Sequence, residues 1–177
     1  MLLDKDAIRD VVLRYCRGID RMDAELVRSC YHPDATDEHG SFSGPVDEFV
    51  AWCWHLLEKY DSTTHVVANQ LIEVAGSGIV AVSETYGFDV HTATNPDPAL
   101  NMAVGFRYLD RFERRAGGPW LIAKRICTTE WTLKAGEDQR FPVSPKLRVG
   151  ERDRRDVIYA LLAEAGISDD AFGDGSA

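Results

Sequence analysis

The chain has 177 residues, 45% of them hydrophobic and 28% charged, with a formal net charge of −9. That length suits one domain with its own apolar core, and the acid excess repels phosphate backbones, which argues against a nucleic-acid partner. No apolar run approaches the roughly 18 residues of a membrane span, and Met1-Leu2-Leu3-Asp4-Lys5-Asp6 lacks the basic and apolar regions of a signal peptide, so a cytoplasmic protein without a membrane partner is expected.

Residues 4–19 read as a first helix. Ile8, Val11, Val12, Tyr15 and Ile19 recur at helical spacing on one face. A shorter helix follows the Asp23 cap with Leu26 and Val27, and stops before His32-Pro33, because the residue ahead of proline avoids helical geometry. Ala35 to Phe42 reads as a brief strand or hairpin arm around Gly40. Gly44-Pro45 opens a third helix, where the missing proline N–H costs nothing. Its apolar face holds Phe49, Trp52, Cys53, Leu56, Leu57 and Tyr60.

After Asp61-Ser62 the texture changes. Thr63–Val74, Ile79–Thr94, Asn101–Arg114 and Trp120–Leu133 are rich in β-branched and aromatic residues. Gly76-Ser77-Gly78, Asn95-Pro96-Asp97-Pro98 and Gly117-Gly118-Pro119 separate them. Connections this short favour antiparallel neighbours. Helices first and long strands afterwards mean an α+β domain, and long strands twist and bend into a curved sheet with a concave face. The domain spans 1–135. Residues 136–177 read as a C-terminal extension, for which the sequence predicts an extended link at Pro142 and Pro145, a helix over 152–165 and a disordered end.

Cys16, Cys30, Cys53 and Cys127 are scattered, with no C-x-x-C pair and no histidine at zinc-ligand spacing. His32, His39 and His55 form no metal cluster by spacing; His32 reads as a loop residue and His55 as exposed on its helix. No metal and no cofactor are expected.

The run Arg14-Tyr15-Cys16-Arg17-Gly18-Ile19-Asp20-Arg21-Met22-Asp23 resembles the first-helix signature of SnoaL-like proteins. Thr63-Thr64-His65-Val66-Val67-Ala68-Asn69 resembles the start of their first long strand, and Pro119-Trp120-Leu121-Ile122-Ala123-Lys124-Arg125 their last one. The resemblance covers roughly residues 5–133 and implies the cone-shaped nuclear transport factor 2-like (cystatin-like) fold, with three N-terminal helices packed on a strongly curved antiparallel sheet. The pattern is similar to a dehydratase-like branch that includes scytalone dehydratase, hexachlorocyclohexane dehydrochlorinase and bile acid 7α-dehydratase, which use an Asp–His dyad without cofactor. It implies Asp20 and His65 as that dyad and Tyr15 as a third catalytic residue. It also implies self-association, as a homotrimer or homodimer.

The chemistry of these residue types agrees. Eliminating a group requires a base for a carbon-bound proton, and histidine titrates near neutrality. A carboxylate on the far ring nitrogen fixes the tautomer and stabilises the imidazolium. A tyrosine hydroxyl can donate to a substrate oxygen or a developing enolate. On the strand from Ile79, Glu84 lies with Tyr86 and Phe88 on one face, and Asp89 with His91 on the other. Asp89 is the first choice for a polar pocket residue, with Glu84 and His91 as alternatives. Arg125 suits a carboxylate or a departing anion. Tyr31, Trp52, Tyr86, Phe88 and Trp131 are candidate pocket aromatics.

Two functions follow. One is a cofactor-independent lyase or isomerase for a small, mainly apolar cyclic compound. The other is a non-catalytic ligand-binding or partner-supporting subunit, similar to the β subunit of ring-hydroxylating dioxygenases.

Overall fold

The structure, a computed structural model, describes residues 1–93, 101–134 and 146–167. The turn at Asn95 to Pro98, the link at Pro142 and Pro145 and the expected disordered end lie outside the described residues. The described elements run α1 (Leu2–Asp20), α2 (Ala24–Ser29), β1 (Tyr31–His39), β2 (Phe42–Pro45), α3 (Val46–Leu57), β3 (Ser62–Val74), β4 (Val80–Thr92), β5 (Met102–Arg114), β6 (Trp120–Lys134) and α4 (Val157–Glu164). No described helix is long and apolar enough to cross a membrane.

One six-stranded sheet has the order β2-β1-β6-β5-β4-β3. Strands β3 to β6 form the antiparallel meander that the short turns dictate. β1 joins it as a parallel neighbour of β6, and β2 pairs antiparallel with β1 around a positive-φ Gly40. The fold is α+β, with the N-terminal helices on the concave face of a curved, unclosed sheet. The core is built from α1 (Ile8, Val11, Val12), α3 (Phe49, Val50) and the inward residues Phe112 and Ile122, all 3% exposed or less. The sequence places His32 in a loop; instead it sits inside β1, buried, with Nε2 3.1 Å from the Glu113 carbonyl oxygen. Pairing with β6 lapses after Tyr31 and resumes at Thr36 with a shifted register, so Pro33 falls in an irregular stretch where its missing N–H faces no ladder partner.

Two details place the end of α1. Asp23 caps α2 by accepting a hydrogen bond from the Leu26 N–H at 3.0 Å. Gly18 lets α1 approach α2: a Cβ there would stand 2.7 Å from Val27 Cγ2. Together they turn the chain so that Asp20, the last residue of α1, meets β3.

Candidate active site

The concave face carries cross-strand rows of inward side chains. Thr63, His91 and Met102 are neighbours in one row; His65, Asp89 and Val104 form the next; Val67, Gly87 and Phe106 the third. The two-residue alternation of β4 therefore sends Asp89 and His91 inward. It sends Glu84 outward, to an ion pair with Arg107 at 2.7 Å. Gly87 leaves room for the Phe106 ring, since a Cβ there would lie 2.6 Å from it. A cavity of about 440 Å³ opens over these rows, closed on its other sides by Tyr15, Ile19, His39, Trp52, Cys53 and Leu57.

Asp20 and His65 meet at its wall. Asp20 Oδ1 lies 2.7 Å from His65 Nδ1, and Oδ2 accepts the His65 backbone N–H at 2.9 Å. The Thr63 hydroxyl donates to Oδ1 at 3.0 Å. An ionised carboxylate only accepts, so Nδ1 carries the proton and Nε2 is left for the cavity. Asp89 Oδ2 stands 3.8 Å from that Nε2, while Asp89 Oδ1 is 3.1 Å from His91 Nε2. Asp89 thus sits between two histidines. The ligand atoms of His65, Asp89 and His91 all lie within 4.8 Å of one another, a donor set that could hold a divalent ion. Spacing along the chain hides this cluster, because strand pairing is what assembles it.

Tyr15 lines the same cavity from α1. Burial pushes its phenol well above the usual range, so it remains a proton-bearing donor. Its ring packs edge-on against Tyr31 and Tyr108. The Tyr60 ring closes edge-on against His91, with centroids 4.7 Å apart.

Residues 1–126 match the model of the SnoaL-like domain. The chain belongs to the SnoaL-like family. The fold of this SnoaL-like domain is similar to that of hexachlorocyclohexane dehydrochlorinase type 2, with a TM-score of 0.70 at 17% identity over 82% of this chain and 97% of that one. It is also similar to a candidate scytalone dehydratase from Novosphingobium aromaticivorans DSM 12444, with a TM-score of 0.67 at 18% identity over 84% and 96% of the two chains. A Mycobacterium tuberculosis protein of unknown function covers 99% of this chain and 100% of its own length, with a TM-score of 0.61 at 19% identity. At such identities the likeness is one of fold. No curated protein matches the sequence.

Several residues expected in the pocket of the SnoaL-like domain stand elsewhere. Arg125 is wholly buried behind the cavity wall. Its Nε and Nη2 each donate to Asp110 at 2.7 Å, and its guanidinium lies over the Tyr15 and Tyr108 rings at 4.1 and 4.0 Å. It braces the aromatic wall and offers no reach to a ligand. Tyr31 is also core, its hydroxyl donating to Asp37 Oδ2 at 2.7 Å. Tyr86 and Phe88 share the outward phase of β4 with Glu84 and are 44% and 41% exposed. Trp131 leaves the cavity because of a bulge: Phe106 pairs with Thr129 but Gly105 with Trp131, so one extra residue on β6 reverses the alternation. Its indole lies over Gly105, where a Cβ would come within 2.2 Å. Trp52 and Asp89 line the cavity.

The sequence reading missed His39. It lines the cavity from the end of β1. The signal was the alternation of Ala35, Asp37 and His39 on one face, hidden because that segment reads as a short polar arm.

Proposed function

We propose that this SnoaL-like domain is a cofactor-independent lyase or isomerase for a small, mainly apolar cyclic compound. The observation that carries the reading is the Asp20–His65 contact, with the free ring nitrogen turned into an apolar cavity beside a second carboxylate. His65 Nε2 removes a proton from a substrate carbon. Asp20 holds the tautomer and stabilises the imidazolium that forms. The electron pair of the broken C–H bond becomes a double bond or an enolate. Tyr15 donates a hydrogen bond to the oxygen on which charge builds. In an elimination the leaving group departs with its bonding pair. A departing hydroxide takes a proton from the Asp89–His91 pair; in an isomerisation His65 returns its proton to another carbon.

A scaffold subunit gives no reason for a buried histidine to be oriented in this way. Turnover of a panel of ring alcohols, halides and enones tests the reading. Proton–deuterium exchange at a carbon, lost in His65→Ala, is the expected result. A wild-type protein that binds such rings and exchanges no carbon-bound proton would favour the binding-subunit function.

A further inference from the structure

We propose that His39 at the cavity wall and the buried Asp37 behind it form a second His–Asp pair, and that His39 presents a cationic N–H to an anionic oxygen of the ligand. The ligand class is then a small ring compound bearing a carboxylate or a comparably acidic oxygen. This rests on the reading of the cavity as a substrate site.

The geometry begins with a buried charge. Asp37 is 1% exposed, and a carboxylate in such a place needs donors or a counter-charge. The Tyr31 hydroxyl serves Oδ2. Toward Oδ1 the neighbour is His39 Nδ1, 3.4 Å away. Arg125 is next to Asp37 in the β1–β6 register, but its guanidinium is committed to Asp110 through two bonds. That pair is neutral as a unit. The charge left to balance Asp37 is an imidazolium at His39.

The imidazole is held firmly. It stacks on Phe49, with centroids 5.3 Å apart and planes at 29°, and it lies beside Trp52 and Tyr108. Burial alone would pull its pKa down. The neighbouring Asp37 and Cys127 outweigh burial and raise it to about 10. With Nδ1 turned to Asp37, Nε2 is the remaining N–H. An imidazolium N–H facing the cavity is a strong donor to a ligand oxyanion.

Sheet curvature makes the pair useful. β1 and β3 are separated by three strands in the sheet order, yet His39 and His65 line one cavity. A ligand between them has its acidic oxygen at His39 and its reacting carbon at His65. The walls between, including Trp52, Leu57, Val104 and Phe106, are apolar. They exclude water and strengthen the attraction of opposite charges.

The test compares 2-naphthoate with neutral 2-naphthamide by calorimetry. The wild-type protein should bind the carboxylate about 10- to 100-fold more tightly, the scale of a charge-assisted hydrogen bond. His39→Gln should abolish that preference. His65→Gln should keep it while losing turnover, which separates this inference from the assignment of the base. Nitrogen-15 NMR of the wild-type protein at about pH 8, above the ordinary histidine range, should show one imidazole with both nitrogens protonated, and this readout needs no variant. Equal affinity for the two probes, no binding of the carboxylate, a preference that survives His39→Gln, or no doubly protonated imidazole would each overturn the proposal.

Discussion

Asp20 holds His65 at two points, accepting its backbone N–H at 2.9 Å and lying 2.7 Å from its Nδ1. The two contacts fix both the strand position and the ring. Asp20→Asn therefore affects stability and turnover together. The amide has a single acceptor oxygen, its other end being an NH2 donor, so one donor from β3 loses its partner, at a cost of about 1–3 kcal/mol. The loss of tautomer control lowers turnover per folded molecule, while ligand affinity stays near wild type. Denaturant melts and single-turnover rates on the same preparation separate the effects. Unchanged turnover per folded molecule would remove Asp20 from the mechanism.

His65→Ala should reduce turnover by about 10²–10⁴-fold, the usual contribution of a positioned proton-transfer group. Added imidazole should recover part of it. Activity equal to wild type would assign the proton transfer to another group.

Arg125→Met should act on stability. It leaves Asp110 buried without a counter-charge, which costs about 3–5 kcal/mol. It also withdraws the cation stacked between Tyr15 and Tyr108. Pairing it with Asp110→Leu should recover most of the loss in urea unfolding. If instead Arg125→Met weakens binding of anionic ligands with no change in the unfolding midpoint, the residue reaches the cavity after all.

Alkaline unfolding reads His39. Its folded pKa of about 10 exceeds its ordinary value of 6.5. A raised histidine contributes its stability in full below about pH 6.5, and that contribution is lost as pH rises through about 10. The urea midpoint of the wild-type protein should fall across this window more steeply than that of His39→Gln. Parallel curves would show that His39 is not protonated in the folded state.

Zinc should inhibit. The atoms of His65, Asp89 and His91 suit a divalent ion, and ligation would occupy the His65 Nε2 lone pair proposed as the base. The expected behaviour is competition with substrate, reversal by a chelator and loss of zinc sensitivity in His91→Gln. Zinc that leaves turnover unchanged at millimolar concentration would count against the cluster.

Self-association is an expectation that rests on the resemblance, and the outer sheet face is where it would be sought. Val66, Tyr86, Phe88 and Trp131 are each 37% exposed or more there. Contiguous apolar surface of this kind marks an interaction site. Phe88→Glu should shift the light-scattering mass toward the monomer. A wild-type monomer at micromolar concentration would refute the expectation.

The order of elements, the α+β class and the antiparallel meander were legible in the sequence, because they depend on local periodicity and turn chemistry. The switch from helical to two-residue spacing after Asp61 needs no partner to be read. The resemblance around Asp20 and Thr63-Thr64-His65 also singled out two side chains that the fold brings into contact. What tertiary structure alone decided is which face each strand residue occupies and what crosses between strands. A bulge after Val67 brings Ile72 into the core, at 2% exposure, where simple alternation from Val66 puts it outside. Another at Thr129 carries Trp131 out of the cavity. The parallel docking of β1 beside β6 sets Asp37 next to Arg125 and brings His39 into the pocket. Such relations join residues far apart in the chain. One inserted residue reverses every side chain beyond it, and no window of local sequence records where a strand finds its neighbour.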